Sequence, residues 1–387
     1  MPQKIDLSDI LARLGPEFAA RSAGHDAGDR FVADNYRALR EAKVFTALIP
    51  LEIGGGGAGH GEVCAFLRGL ARYCPSTALA LSMHQHLVAA AVANDLAGRP
   101  GRKLLEKAVA EDAILVSTGA ADWLDSNGTL ERVEGGYRLT AVKPFASGSP
   151  LGDLLITSGV YDDPAEGPQV LHFPLSLKAE GVAFLDDWQT MTMRGTGSQT
   201  VKLDGVFVPE GAVALRRPQG PFHPAFAVIV AVAMPLIMSV YLSVAEAAAE
   251  IAREKAREKA RGRGADPVVP LLVGEMETLL TSAEIAVDDM IRLANGFDFT
   301  PSAELASRVL TRKTLAAKAI LATAEKALEV AGGGGLFRRL GLERFLRDAH
   351  GAQFHPLPEK RQQLFTGRLA LGLDPVGERP ELPRKAA

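Results

Sequence analysis

The spacing of apolar and polar positions predicts helices over the first part of the chain. Residues Ser76–Asn94 are apolar and rich in strong helix formers, and Pro75 before them suits the first turn of a helix. Leu104–Glu111 has the spacing of a short amphipathic helix. We therefore expect a helical N-terminal domain over residues 1–112.

The pattern changes to short β-type runs after this region. Ala113–Thr118 is one such run, and Leu130–Val142 contains two alternating runs joined at Gly135-Gly136, which predicts a hairpin. Turn residues separate them from three further predicted strands, Leu154–Val160, Gln169–Phe173 and Gln199–Val208. The regular spacing predicts a compact antiparallel sheet domain over residues 113–220.

Helical periodicity returns after this sheet and predicts a third domain over residues 221–387. The most apolar run, Phe226–Val244, is long enough for a membrane span, but Pro235 lies in its middle and the chain has only one such run. We expect a buried core helix there. The predicted helices are Ala225–Lys259, Pro267–Asn295, Pro301–Ala331, Leu336–Asp348 and Pro358–Leu371.

Composition and charge narrow the class of protein. The chain has 387 residues, of which 47% are hydrophobic, and this is enough to bury a large core. A formal charge of -3 argues against a nucleic-acid binder, which usually carries a basic face. The 2 cysteines exclude a disulfide scaffold and a thiolate metal site, and the N-terminus has no secretory pattern, so we expect a cytoplasmic protein.

Four segments, in order along the chain, resemble motifs of the acyl-CoA dehydrogenase superfamily of flavoproteins. Pro50–Gly57 resembles the family's proline-acidic-glycine turn, and Trp188–Ser198, followed by VFVPE, resembles its "MRGTGS…VFVPE" segment. Glu329–Gly335 resembles its glycine turn, and Leu342–Ala349 resembles its "ER-x-x-RDA" segment. The resemblance implies an α+β fold with N-terminal helices, a middle antiparallel β-domain and a C-terminal four-helix bundle, assembled as a homotetramer.

The resemblance also implies residues that hold a flavin, either FAD or FMN. Backbone donors would come from the end of the first strand, at Ser117, Thr118 and Gly119. In the KPFASG segment, Phe145 matches an aromatic residue beside the flavin, and Ser147 matches a hydroxyl near its N5 atom.

Further flavin contacts are expected from the C-terminal helices. Arg261 and Arg263 replace the family's "R-x-x-FG" segment and offer guanidinium groups to a phosphate. Glu329, Gly332 and Gly333 belong to the turn that meets the flavin of a neighbouring subunit in the family.

Neither position that holds the catalytic glutamate in acyl-CoA dehydrogenases carries an acid in this chain. One position falls on Pro356, directly after His355, and the other falls near Ala227. With His355 at this turn, the sequence resembles the flavin-dependent monooxygenase branch of the superfamily, in which a histidine lies where the dehydrogenases keep their base. Members of this branch take reduced flavin from a separate reductase. They transfer oxygen from a flavin C4a-hydroperoxide to a small apolar or aromatic substrate.

Histidine suits this chemistry because its ordinary pKa lies near neutral pH. His355 is therefore the first candidate for a catalytic group, with Ser147 near N5 of the flavin. The branch also uses a histidine on an N-terminal helix, and His84 and His86 are the candidates. Their separation of two positions places them on different helix faces, so we expect no metal site and at most one of them in the pocket.

Three hypotheses follow from these residues. The first is a flavin-dependent monooxygenase supplied by a reductase. The second is an FAD-dependent acyl-CoA dehydrogenase with a displaced base, for which Glu359 is the candidate. The third is a catalytically degenerate member of the family that binds a ligand or stabilises a partner.

Overall fold

The chain folds with helices at both ends and a β-sheet in the middle, which confirms the predicted α+β class. The computed structural model describes residues 3–260 and 267–377. The element order follows the predicted order of helices, sheet and helices. The three domain boundaries given above remain a prediction.

The N-terminal helices pack around one apolar core. Asp6 caps the first helix by accepting hydrogen bonds from the amides of Ser8 and Asp9. The fourth helix begins at Pro75, as predicted, and nearly every residue of its middle part is buried. The helices are α1 Leu7–Ala27, α2 Ala33–Glu41, α3 His60–Tyr73, α4 Pro75–Leu96 and α5 Arg102–Ala110.

The middle of the chain forms a sheet in the order β6-β7-β3-β2-β4-β5-β8, with β1 beside β4. Most neighbours are antiparallel, as predicted, but β1 and β2 both run parallel to β4, with Leu115 opposite Leu154 and Thr129 opposite Val160. The strands are β1 Leu115–Ser117, β2 Thr129–Val133, β3 Gly136–Ala146, β4 Leu154–Asp163, β5 Gly167–Ser176, β6 Val182–Phe184, β7 Gln199–Pro209 and β8 Leu215–Pro218. β1 also packs against α4, where the Leu115 amide donates a 2.9 Å hydrogen bond to Nδ1 of His84, so β1 lies where the sheet meets the N-terminal helices.

The C-terminal region consists of long helices that pack against each other and against α3 and α4. Among residues 3–260 and 267–377, one helix, α6, is long and apolar enough to cross a membrane, but 94% of its most apolar window is buried inside the protein. It is therefore a core helix, as the position of Pro235 suggested. The helices are α6 Pro224–Ala260, α7 Val268–Ala294, α8 Ala303–Ala331, α9 Leu342–His350 and α10 Glu359–Ala370.

Candidate active site

The segment Trp188–Ser198 connects the sheet with the C-terminal helices. At the sheet, the Trp188 ring stands edge-on to the Phe145 ring, with 6.1 Å between the ring centroids. At the helices, the Met193 amide donates a 2.7 Å hydrogen bond to the carboxylate of Asp348, at the end of α9. This segment therefore fixes the distance between the predicted flavin contacts and the turn that carries His355.

The predicted flavin contacts at the end of β3 form an open apolar and hydroxyl-lined surface. The Phe145 side chain is 64% exposed, and its backbone has a positive φ of 62° near the end of β3, where the register with β7 shifts. The Ser147 hydroxyl shares a 2.7 Å hydrogen bond with the Ser198 hydroxyl, which in turn lies 2.8 Å from that of Thr196. An exposed aromatic residue beside a chain of hydroxyl groups suits a planar polar ring such as a flavin.

The end of β1 approaches the same region. Ser117 and Thr118 are buried, and Gly119 has a φ of +82°, with open space where a side chain would begin. The Gly119 amide donates to the Ser117 hydroxyl at 3.3 Å. The bare backbone at Gly119 allows the close approach of a ligand.

A buried ion pair anchors the loop that follows β1. The Lys143 ammonium group lies 2.6 Å from the Asp122 carboxylate, and both side chains are almost completely buried. The hydroxyls of Thr118 and Thr157 also donate to this carboxylate. Burial lowers the pKa of Lys143, and the charge of Asp122 opposes this effect. This network holds the backbone of Ser117–Gly119 in place. The Thr118 hydroxyl is occupied by Asp122, so any contact of this segment with a ligand would come from its backbone.

The residues at the ends of β1 and β3 therefore fit a flavin. Phe145 would lie against its ring, the Ser147 hydroxyl would bond to a polar ring atom, and the backbone at Gly119 would line the slot. Their roles as cofactor ligands remain proposals, and so does the choice between FAD and FMN.

His355 follows α9 in a short turn and contacts a tyrosine from α6. Its Nε2 atom lies 2.8 Å from the hydroxyl of Tyr241. Burial lowers the pKa of His355 to about 3, and the charge of Lys313 lowers it further, as does that of His86 once His86 is protonated in acid. The imidazole is therefore neutral at physiological pH.

A buried lysine holds the turn around His355. The Lys313 side chain, in α8, is 1% exposed, and its ammonium group donates to the carbonyl oxygens of Gln353 and Leu357 at 3.1 and 3.2 Å. Burial lowers the pKa of Lys313 to about 8. The two bonds lie on either side of His355 in the chain, so they fix the turn that carries it.

The two candidate histidines on α4 have different surroundings. Both nitrogen atoms of His84 bond to backbone: Nε2 to the Phe45 carbonyl at 2.7 Å, and Nδ1 to the Leu115 amide at 2.9 Å. His86 bonds through Nδ1 to the Ser82 carbonyl at 3.3 Å, and its Nε2 has no hydrogen-bond partner among the described residues. Burial lowers the pKa of both to about 4.

His86 is therefore the α4 histidine with a free nitrogen among the described residues, and it is close enough to His355 to affect its pKa. His84 joins α4 to β1 and leaves no nitrogen for a ligand. These hydrogen bonds do not show a catalytic role for either histidine, so the roles of both remain proposals.

The remaining predicted flavin contacts are in or near the C-terminal helices. Glu329 forms a 2.6 Å ion pair with Lys326 near the end of α8. Gly332 has a φ of +65°, and Gly333 is exposed with open space around it. This turn is free to meet another molecule. Arg261 and Arg263 lie outside the described residues.

The displaced-base candidate has the wrong surroundings for a general base. Glu359 begins α10, forms a 2.7 Å ion pair with Lys318, and is partly exposed. A hydrogen bond from Lys318 lowers its pKa. An acid that accepts a proton from a substrate needs a raised pKa, which burial normally supplies.

Three residues around His355 were not identified from the sequence. Tyr241 is a single polar aromatic residue within the apolar run of α6, and this was the one signal that could have revealed it. Lys313 has no distinguishing pattern. Asp348 belongs to a recognised motif, but its bond to the Met193 amide depends on a contact between distant segments, and burial raises its pKa to about 6.

Curated relatives include oxygenases and one putative dehydrogenase. The pigment production hydroxylase of Rhodococcus sp. (strain ATCC 21145) is 28% identical, with the match covering 54% of this chain and 51% of that protein. The oxygenase component of the FADH(2)-dependent resorcinol hydroxylase of Rhizobium sp. (strain MTP-10005) is 29% identical, covering 52% and 47%. The chain thus spans about half the length of these two. The putative acyl-CoA dehydrogenase YdbM of Bacillus subtilis (strain 168) is 25% identical, covering 89% and 91%.

Solved structures match over almost the whole chain. FMN-bound TdsC from Paenibacillus sp. A11-2 has a TM-score of 0.81 at 22% identity, with 95% of this chain and 97% of that one covered. KijD3, in complex with FMN and dTDP-3-amino-2,3,6-trideoxy-4-keto-3-methyl-D-glucose, has a TM-score of 0.85 at 23% identity, with 97% and 95% covered. At these identities the likeness establishes the fold.

Two family models match different parts of the sequence. The acyl-CoA dehydrogenase N-terminal domain matches residues 13–103, and the acyl-CoA dehydrogenase C-terminal domain matches residues 236–359. The two matches keep the order of the family, and the fold between them is the one that the solved structures share. The chain therefore belongs to the acyl-CoA dehydrogenase superfamily, and its neighbours in sequence and structure include flavin-dependent monooxygenases.

Proposed function

We propose that this protein is the oxygenase component of a two-component flavin-dependent monooxygenase. A separate reductase would supply reduced FMN or FAD, which reacts with O2 and provides the oxygen atom. The observation that carries the proposal is the neutral His355, which directly precedes the position where a dehydrogenase carries its catalytic glutamate and lies within electrostatic range of His86. The apolar wall of α4 and α6 favours a small apolar or aromatic substrate.

Each proposed residue has a distinct task in this site. Phe145, Ser147 and the Ser117–Gly119 backbone would bind the flavin ring. His86 and His355 would offer imidazole nitrogens to the reacting end of the substrate, because both are neutral and near each other. His84 would keep α4 and β1 in register without touching a ligand.

One alternative function has specific support. The match to a putative acyl-CoA dehydrogenase covers most of both chains, and this favours dehydrogenation of an acyl-CoA. The surroundings of Glu359 oppose it, since an exposed acid paired with a lysine stays ionised and weakly basic.

The decisive experiment supplies chemically reduced FMN or FAD and ¹⁸O₂ to the purified protein. The substrates are a phenol, an indole, a sulfur heterocycle and a primary amine, and products are analysed by mass spectrometry. We expect ¹⁸O in at least one product, lost in His355→Ala and kept in His25→Ala, whose histidine lies in α1.

Other outcomes of this experiment decide against the proposal. No ¹⁸O product together with anaerobic bleaching of bound FAD by an acyl-CoA favours the dehydrogenase. No affinity for oxidised or reduced flavin favours a degenerate binding protein.

We also propose that the chain works in the cytoplasm as a homotetramer. A groove of about 960 Å³ between α7 and α8 supports self-assembly, since Ile285 and Leu315 expose apolar side chains on it. A second copy would bury these residues, and Gly332–Gly333 would then be available to the flavin of that copy.

A further inference from the structure

Tyr241, in α6, contacts one ring nitrogen of His355. It is 1% exposed on α6, and its hydroxyl lies 2.8 Å from Nε2 of His355, with the ring centroids 5.2 Å apart. The two residues are separated by 114 positions in the sequence. The contact therefore joins the core of the protein directly to the candidate active site.

The donor in the hydrogen bond between Tyr241 and His355 can be assigned from the hydroxyl hydrogen of Tyr241. Burial raises the pKa of Tyr241 well above its ordinary value, so the hydroxyl keeps its hydrogen at physiological pH. Nε2 of His355 is the hydroxyl's hydrogen-bond partner within the described residues. If Nε2 carried a hydrogen, the buried phenol hydrogen would have no acceptor, and an unpaired buried donor costs about 1–3 kcal/mol.

We infer that Tyr241 is a positioning residue that donates to Nε2 of His355 and holds the neutral imidazole with its hydrogen on Nδ1. His355 therefore has an N–H donor at Nδ1, which has no hydrogen-bond partner among the described residues, and no basic lone pair. The use of that donor, toward an oxygen atom at the reacting end of the substrate, rests on the proposed function. The tautomer itself does not depend on it.

The surroundings fix the ring in this orientation. Lys313 holds the backbone on both sides of His355, which restricts rotation of the turn. Gly351 leaves the space that the Tyr241 hydroxyl needs, because a side-chain carbon there would lie 2.5 Å from that oxygen. A ring held by its partner and by its backbone keeps one tautomer, as histidines bound to a fixed second group do.

The test is ¹⁵N solid-state NMR of the flavin-free protein with labelled histidine. The chain has 8 histidines, so the spectrum is small, and the His355 signals are assigned by their loss in His355→Gln. In the wild-type protein we expect hydrogen on Nδ1 and none on Nε2. In Tyr241→Phe we expect a mixture of tautomers, and in the control Tyr161→Phe we expect the wild-type spectrum.

Two results would overturn the inference: hydrogen on Nε2 in the wild-type protein, or an unchanged His355 tautomer in Tyr241→Phe. If Tyr241→Phe does not fold, as judged by circular dichroism, the wild-type spectrum alone decides. Each result is independent of whether the protein transfers oxygen.

A second measurement connects the tautomer with the reaction. With reduced flavin, O2 and an accepted substrate, Tyr241→Phe should lower kcat about 10- to 100-fold, the usual loss when the partner of a fixed histidine is removed. KM should change little. The expected tautomer in a protein that never forms an oxygenated product would contradict the proposed function and leave the inference standing.

Discussion

Several titratable side chains near the site are buried without a counter-charge. His86 and His355 are neutral because burial lowers their pKa values to about 4 and about 3. Between pH 6.5 and these pKa values, the two histidines are protonated in the unfolded chain but not in the folded one. The free energy of unfolding therefore falls as the pH is lowered through this range. The burial that keeps both histidines uncharged therefore makes the folded protein less stable in acid.

Lys313 should make the stability depend on pH in the alkaline range. Its folded-state pKa of about 8 lies below the ordinary value of 10.5, so burial of the charged form costs stability below pH 8. This cost, about 3 kcal/mol, should disappear as the pH rises from 8 to 10.5. Urea unfolding across this range should show the rise in the wild-type protein and its loss in Lys313→Met.

The control for this prediction is Lys178→Met, which replaces an exposed lysine. It should follow the wild-type curve. A Lys313→Met variant with the same pH dependence as the wild-type protein would show that the ammonium group is not buried in solution.

His84 should be needed for stability because it satisfies two buried backbone groups. His84→Phe fills similar space but leaves the Leu115 amide and the Phe45 carbonyl unpaired. We expect a loss of about 2–4 kcal/mol in the free energy of unfolding. His25→Phe, in α1, should lose much less, and unchanged stability of His84→Phe with lost oxygen transfer would place His84 in the site.

For single residues, the sequence indicated candidate site residues better than it indicated the residues that contact them. His355 could be singled out as a candidate because the motif around it has a fixed place in the family, and its role remains a proposal. Tyr241 and Lys313 could not, because each acts through a contact with a segment far away in the chain. The same holds for Lys143 and Asp122, since nothing in the sequence shows which buried charges meet.

At the scale of elements, the short turn between α9 and His355 depends on the absence of a side chain. Gly351 has helical backbone angles, so its conformation suits any residue. Larger residues are excluded by a lack of space, because the Tyr241 hydroxyl lies where their side chain would begin.

Gly351→Ala should therefore destabilise the protein by about 1–3 kcal/mol, because Tyr241 is too tightly packed to move freely. The matched control is Gly367→Ala in α10, where no atom lies within 4 Å of the added carbon. It should be neutral or stabilise by about 0.5–1 kcal/mol, since alanine favours the helix. Urea unfolding compares the two, and equal effects would contradict the packing around Tyr241.

The long helices α6, α7 and α8 were predicted well, because their period extends over many turns and the sequence placed their ends within a few residues. Shorter elements were predicted less well: the helix expected over Leu336–Asp348 begins only at Leu342, and β6 and β8 were missed. The strands β6 and β8 have three and four residues, too few to show an alternation. The parallel position of β1 depends on its pairing with β4, and a local pattern contains no information about that.

At the scale of the whole molecule, the groove between α7 and α8 should determine assembly. Ile285 is 65% exposed there, and a charged side chain at this point would be buried against a second copy. Ile285→Arg should reduce the mass measured by light scattering from that of a tetramer to that of a smaller species. Leu96→Arg, at a leucine with 64% exposure at the end of α4, should leave it unchanged.

The contact between Met193 and Asp348 also limits how this protein can exchange parts with its relatives. The sheet and the α9 turn are encoded far apart, yet the placement of one relative to the other depends on this bond. A recombination breakpoint between them would combine a segment and a helix that were selected in different parents. Functional chimeras should therefore inherit Trp188–Ser198 and α9 together, whatever the origin of the intervening helices.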